Sequence, residues 1–399
     1  MESDDDPRSR SSTSRIRRTL SLGAVSLVTL ATAGMMYLYP SWDFGTAAVH
    51  VTTPTLAASR HLAAVDFVTP ATGWVVVENQ PHDFLVLRTS DAGVTWTRQL
   101  AGPDQAVGEY LRFFDASRGA VVVLGHHASI YRTGDGGNTW DRQSLTHAGG
   151  EVLSADFVDA DHGWLLAEAS TEGQALLRTD DGGRTWLGLG NPVAYSDWAY
   201  RVVFSDARNG WLYSQSAGPY AYRSHDGGSS WQRVVLPGPA GGWPKADGGP
   251  ISVEAHPTEG AGVRVTVVIG PPVAVPSPGS PVSRSDRAPA NQFHLSSVDG
   301  GRSWKAFSMP ASQGAIAYVD ALNWWWIGSG VQAKTTDAGG TWSPIRTLLI
   351  PAPLPESVQI IDATHTWFGA MAGERPLVEG TDDGGVSWTM FLLPGDGAY

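Results

Sequence analysis

The chain has 399 residues, 42% of them hydrophobic, and 27 Lys and Arg against 39 Asp and Glu give it a net charge of −12. It is long enough to bury a large core, and its acidity argues against a nucleic-acid or anionic-lipid surface. Cysteine is absent, which excludes disulfides, thiolate zinc sites and a lipid-anchored N-terminal cysteine.

In chain order, Arg8, Arg10, Arg15, Arg17 and Arg18 precede an uncharged run of 21 residues at 19–39, long enough to cross a hydrocarbon core as a helix. Basic residues on that side predict a cytoplasmic tail over 1–18, a transmembrane anchor over 19–39 and a linker over 40–60, with the body outside the cytoplasm. Tyr37, Tyr39, Trp42 and Phe44 would form an aromatic belt at the interface. A cleaved signal peptide is the alternative: Ala31-Thr32-Ala33 is an A-x-A site and Arg17-Arg18 faintly suggests a twin-arginine leader, which would leave a secreted body.

Beyond residue 60 one signature, Ser/Thr-x-Asp-x-Gly-x-Ser/Thr-Trp, occurs seven times. Its anchors are Asp91, Gly93 and Trp96; Asp135, Gly137 and Trp140; Asp181, Gly183 and Trp186; and Asp226, Gly228 and Trp231. The later copies hold Asp299, Gly301 and Trp304; Asp337, Gly339 and Trp342; and Asp383, Gly385 and Trp388. The aspartates are separated by 44, 46, 45, 73, 38 and 46 residues, the period of a blade of four short strands. A second signature, Asp159-Ala160-Asp161-His162-Gly163-Trp164, precedes its box and returns in Asp206–Trp211, with degenerate copies elsewhere. Alternating apolar stretches flank both signatures. The pattern predicts an all-β, seven-bladed propeller over 61–393, built of four-stranded antiparallel blades with the box at each C–D hairpin.

Within the box, a short carboxylate can accept backbone N–H bonds of its own turn, and the glycine two positions on supplies a positive φ. The hydroxyls can cap the backbone, and the tryptophan opens strand D as an apolar wedge between blades. A calcium site would need several more oxygen ligands and a bidentate Glu, which do not recur, so neither metal nor cofactor is expected.

These residues resemble the Asp-box, or BNR, repeat of sialidases, sortilin-type receptors, xyloglucanases and photosystem II assembly factors. The resemblance covers 61–393. A box in nearly every blade, together with the Gly-Trp strand starts, is most similar to photosystem II assembly factor-like propellers. That resemblance implies an exported, non-catalytic assembly scaffold. The acidic body departs from the arginine-rich surface shared by those factors. The sialidase Arg-Ile-Pro element is missing; Ala64-Val65-Asp66-Phe67 stands nearest to it. Arg88, Arg132, Arg178 and Arg223 recur at the end of strand C as a feature of the repeat, not as a converging set. A xyloglucanase-like cleft would need two propellers.

Binding is expected on the face opposite the boxes, formed by B–C and D–A loops. The 73-residue interval carries a Pro- and Ser-rich B–C insertion over 270–292, with Arg284 and Arg287, that reads as a flap over this face or as an insertion without a role. Trp198 and Trp243 belong to neither signature and fall in D–A loops with Tyr195, Asp197 and Lys245. They can anchor a protein partner, stack on a sugar, or plug an inter-blade seam. His126-His127 lacks a third ligand at metal-site spacing. The expected function is non-catalytic binding of a protein partner, with a glycan-binding or glycoside-hydrolysing propeller as the alternative.

Overall fold

The structure is a computed structural model. It describes residues 60–394 except 80–82, 104–107, 146–149, 170–172, 194–196, 217, 240–241, 244–250, 258–261, 270–290, 308–313, 321, 329–330, 347–357 and 373–374. The chain divides into Met1–Pro54 and Thr55–Tyr399, and every described residue belongs to the second unit. The tail, the anchor and the linker up to residue 59 therefore lie outside the described residues. Among those described, no helix is long and apolar enough to cross a membrane.

Among the described residues all regular structure is strand. Blade 1 comprises β1 (Arg60–Phe67), β2 (Gly73–Asn79), β3 (Asp83–Thr89) and β4 (Thr97–Pro103). Blade 2 holds β5 (Glu109–Phe113), β6 (Gly119–Val123), β7 (Ser129–Thr133) and β8 (Asp141–Ser144). In blade 3 are β9 (Val152–Phe157), β10 (Gly163–Glu168), β11 (Gln174–Thr179) and β12 (Leu187–Gly190). Blade 4 has β13 (Trp198–Phe204), β14 (Gly210–Ser216), β15 (Tyr220–Ser224) and β16 (Gln232–Val235). Blade 5 follows with β17 (Ile251–Pro257), β18 (Val263–Ile269), β19 (Asn291–Ser297) and β20 (Lys305–Phe307). Blade 6 contains β21 (Gly314–Tyr318), β22 (Trp324–Gly328), β23 (Val331–Thr335) and β24 (Ser343–Arg346). Last come β25 (Val358–Ile360), β26 (Thr366–Ala372), β27 (Arg375–Thr381) and β28 (Thr389–Leu392).

Neighbouring strands within each blade pair antiparallel, and first strands of adjacent blades approach one another, as β1 does β5 and β25. This is the arrangement of a β-propeller, with strand A innermost. One departure from separate four-stranded sheets joins blades 4 and 5 into eight strands. The far end of β14 (Ser214–Ser216) exchanges β15 for β17, with Ser214 opposite Val253 and Ser216 opposite Ile251. Ladder pairing of β15 with β14 covers only Gly210–Leu212, and the edge released beyond it is satisfied by the next blade.

The box turns close as their chemistry requires. In the first, Thr89 Oγ donates to Asp91 Oδ1 (2.8 Å) and accepts the Gly93 N–H (2.8 Å), while Asp91 accepts the Thr95 N–H (2.8 Å) and hydroxyl (2.6 Å). The Trp96 indole N–H then bonds the Gly93 carbonyl at 2.9 Å. In the second, the hydroxyl and N–H of Thr139 hold the Asp135 carboxyl down at about 2. Among the described residues six of the boxes are also tied to the A–B turn of their own blade, as in Gly182 N–H to Asp161 O (2.8 Å) and Gly227 N–H to Arg208 O (2.9 Å). Gly183 has φ +83°, and a Cβ there would lie 2.8 Å from Ile130 Cδ1 of blade 2. Gly183→Ala should therefore cost about 2 kcal/mol in urea unfolding, through left-handed strain and crowding together. An unchanged midpoint would show that the turn absorbs the methyl.

The seams between blades carry a repeated aromatic sandwich. Phe113, at the end of β5, stacks on Trp74 of the preceding blade (3.5 Å between centroids) and meets Trp140 of its own box edge-on (6.1 Å). Phe204 does the same between Trp164 (3.6 Å) and Trp231 (6.0 Å), and Phe67 between Trp367 (4.2 Å) and Trp96 (6.4 Å). This explains the glycine of the second signature. A Cβ on Gly73, Gly119, Gly163 or Gly210 would fall 2.4–2.5 Å from the Phe ring of strand A, so glycine leaves the ring its place. Where strand A ends in Tyr318 or Ile360, the residue opposite is Trp324 or Thr366. Among the described residues seven apolar clusters fill the seven seams, that between blades 7 and 1 included.

Close to the axis, side chains of strand A latch onto the next blade's backbone. Asp66 accepts the Phe113 N–H, Asp156 the Phe204 N–H (2.6 Å) and Gln359 the Phe67 N–H; Tyr110 Oη accepts the Phe157 N–H at 2.9 Å. Gln359 also donates to Asp66 Oδ1 at 2.6 Å, closing the ring from blade 7 to blade 1.

Candidate functional site

Asp197 is the sequence-predicted site residue that the structure ties most firmly into a network. It lies just before β13 with its side chain fully buried. Its Oδ2 accepts the hydroxyls of Tyr220 (2.7 Å) and Tyr222 (2.5 Å) and an N–H of Arg233 (3.2 Å). The Arg233 guanidinium lies over both phenol rings, at 4.7 and 5.7 Å from their centroids, and its Nε bonds Tyr222 Oη at 3.1 Å. Burial, and then the adjacent Asp197 carboxylate, push the Tyr220 phenol up to about 12. Arg233, half exposed, and Tyr222 line one side of a pocket of about 470 Å³ whose other walls include Asn191, Val193 and Trp231.

Trp198 belongs to the first position of β13, opposite Gln215, and not to a loop as the sequence suggests. It is half-buried. Trp243 takes the plug role: it packs against the apolar seam of blades 4 and 5, edge-on to Phe293 at 5.2 Å, and its indole N–H points to Leu236 O at 3.4 Å. The structure thus separates the two tryptophans. Tyr195, Lys245, Arg284, Arg287 and nearly all of the 270–292 insertion lie outside the described residues.

The box arginines do not converge. Arg88, Arg178 and Arg223 each lie over the strand-B tryptophan of their own blade, at 5.4 Å from Trp74, 5.9 Å from Trp164 and 5.4 Å from Trp211. Blade 2 has Ala120 in that position, and there Arg132 pairs with Asp141 instead, at 2.7 Å. His126 Nε2 lies 3.2 Å from Glu151, and no group of three or more His, Asp or Glu among the described residues is arranged to hold a metal.

A cluster that the repeat pattern does not reveal sits on blades 4 and 5. Around the axis, Asp66, Arg112 and Asp156 succeed one another on blades 1 to 3, with Arg112 4.0 Å from Asp66 and acting on Asp156. Blade 4 adds Arg201, over the ring of Tyr213 at 5.3 Å. Beyond it the alternation fails. Tyr213 Oη lies 2.6 Å from His256 Nδ1; His256 is opposite Arg264 in the ladder, and Thr266 is opposite His294. Burial, then Arg264 and Arg201, hold the His256 pKa well below the usual imidazole range; burial and Arg264 bring His294 down to about 4. Period-two alternation in β17 and β18 was the available signal, because it puts these charged residues on the face turned away from Val263, Val265 and Val267.

The comparisons agree with this architecture. A family model for sortilin-Vps10, described as sortilin, neurotensin receptor 3, matches residues 85–218, about a third of the chain. No curated protein matches. Among solved structures, a GH74 xyloglucanase from Xanthomonas campestris is 16% identical with a TM-score of 0.55, covering 85% of this chain and 55% of that one. A structure of YCF48 bound to a D1 peptide is 20% identical with a TM-score of 0.43, covering 71% of this chain and 80% of that one. YCF48 from Cyanidioschyzon merolae is 16% identical, at 0.43, covering 83% and 95%. The chain is thus a propeller with BNR-type repeats, and the xyloglucanase likeness concerns fold alone.

Proposed function

We propose that this chain is a seven-bladed propeller, anchored through 19–39 with its body outside the cytoplasm, that binds a protein partner and catalyses no reaction. The observation that carries this reading is the state of the Asp197 network. A glycosidase with a tyrosine nucleophile needs a phenol that ionises readily beside a basic carboxylate. Here the Tyr220 phenol is pushed up to about 12 and spends its proton on Asp197, whose Oδ2 already accepts three bonds. The network suits a rigid rim around Arg233 better than a reacting centre. The basic residues ahead of 19–39 and the uncharged run itself support the anchored topology.

Affinity capture with the full chain tests the reading, using Trp198→Ala and Arg233→Ala as surface variants. A partner retained by the wild type and lost by at least one variant is the expected result. Recovery of the same partner with both variants would move the surface elsewhere. The hydrolase reading rests on the 2.7 Å Tyr220–Asp197 pair beside the pocket. Turnover of chromogenic glycosides, lost in Tyr220→Phe, would establish it.

A further inference from the structure

We infer that the polar face of blade 5 is an oxyanion site built on Arg264, His256 and His294, taking a phosphate or carboxylate group. Arg264 is the centre. Arg264 is 6% exposed, within a protein of net charge −12, and Glu254 is the one carboxylate whose charge is seen to act on it. One Nη donates to Thr266 Oγ at 3.2 Å and the guanidinium lies 5.2 Å from the Tyr318 ring, yet Nε has no hydrogen-bond partner and neither does Tyr318 Oη. An unmet donor on a buried cation calls for an acceptor, and an oxyanion matches the guanidinium fork.

The neighbours are set to respond. Because Thr266 Oγ already accepts from Arg264, its own proton is available to the His294 Nδ1, 3.2 Å away, which keeps that nitrogen an acceptor and the ring neutral. The groups facing the cluster are Arg201 on β13, Tyr213 on β14, Glu254 and His256 on β17, His294 on β19 and Tyr318 on β21. Glu254 is the only acidic side chain in that set. His256 and His294 are half-buried, whereas Arg264 is buried. An arriving anion would favour their protonated forms, so binding takes up a proton and tightens as pH falls.

This inference does not depend on the protein-partner reading, since the capture variants at Trp198 and Arg233 leave these residues untouched. Calorimetric titration of the full chain with inorganic phosphate and, separately, acetate tests it between pH 5.5 and 8. Saturable binding of one of them is expected, with affinity rising up to about tenfold per pH unit on acidification and proton uptake that scales with buffer ionisation. Phosphate alone binding assigns a phosphoryl group; acetate alone or mutual competition assigns a carboxylate. Arg264→Gln should weaken binding at least about tenfold. His294→Gln, which keeps an acceptor for Thr266 and so guards against a folding failure at Arg264, should retain binding but flatten its pH dependence. Absence of saturable binding of either anion, or binding unchanged in both variants, would overturn the proposal.

Discussion

Replacing Asp66 with alanine should destabilise the propeller by about 3–5 kcal/mol, a large part of what a domain has to lose. Asp66 is 3% exposed and stands at the junction of blades 7, 1 and 2. It receives the Phe113 N–H and the Gln359 amide, with Arg112 4.0 Å away. Alanine would strand the buried Phe113 N–H, take one of two acceptors from the Gln359 amide, which keeps Phe67 O, and leave Arg112 without its nearest carboxylate; the stranded donor alone is costlier than its bond's net worth. Asp66→Asn should cost about half as much, because one acceptor oxygen remains for Phe113. Urea melts of the three proteins give the order; equal midpoints for alanine and wild type would remove Asp66 from the account of ring closure.

Asp156→Asn should act in the opposite direction. Burial raises this carboxyl to about 6, against the pull of the Phe204 N–H, Arg201 and Arg112. A folded pKa above the unfolded 3.8 means the native state holds its proton more tightly. The stability so gained is complete below pH 3.8 and is lost as pH rises through about 6. At pH 7.5 the partly buried anion is a burden that the isosteric amide does not carry, while the amide oxygen can still accept from Phe204. A gain on the order of 2 kcal/mol is expected at pH 7.5, shrinking to nothing near pH 4. Thermal melts at the two pH values decide it. A destabilised variant at pH 7.5 would mean that Arg112 and Arg201 fully offset the charge.

The architecture was legible because the parts that repeat are the parts that close on themselves. An Asp-box turn makes its bonds within eight residues, so its meaning is local and survives in sequence. The Gly-Trp strand start was visible too, yet its cause was not. Gly73 is required by Phe67, six residues earlier, and Trp74 by Phe113 on the next blade. Such pairs emerge only when seams are assembled. The site was less legible still. Asp197 reads as an exposed carboxylate until Tyr220, Tyr222 and Arg233 are folded over it, and Trp198 and Trp243 look alike until strand pairing separates them. The Arg264 cluster is not legible from the repeat because blade 5 breaks the period, and the charged positions of its strands have no counterpart in the other blades' signatures.

Every blade takes its four strands from one uninterrupted stretch of chain, and the first and last blades meet through Phe67 on Trp367, the Gln359 bonds and Arg60 to Pro394 O at 3.0 Å. Among the described residues no strand is donated across that junction, so the ring is a split washer whose gap is held by side-chain packing and side-chain hydrogen bonds. The position of the gap is then arbitrary with respect to the blades. A circular permutation that joined the present ends and reopened the chain at a D–A connection would leave all blades whole, and blades can be gained or lost as complete units without breaking a hydrogen-bonded ladder. The exception is the join of blades 4 and 5, where β14 and β17 share a ladder and the washer cannot be cut without tearing a sheet.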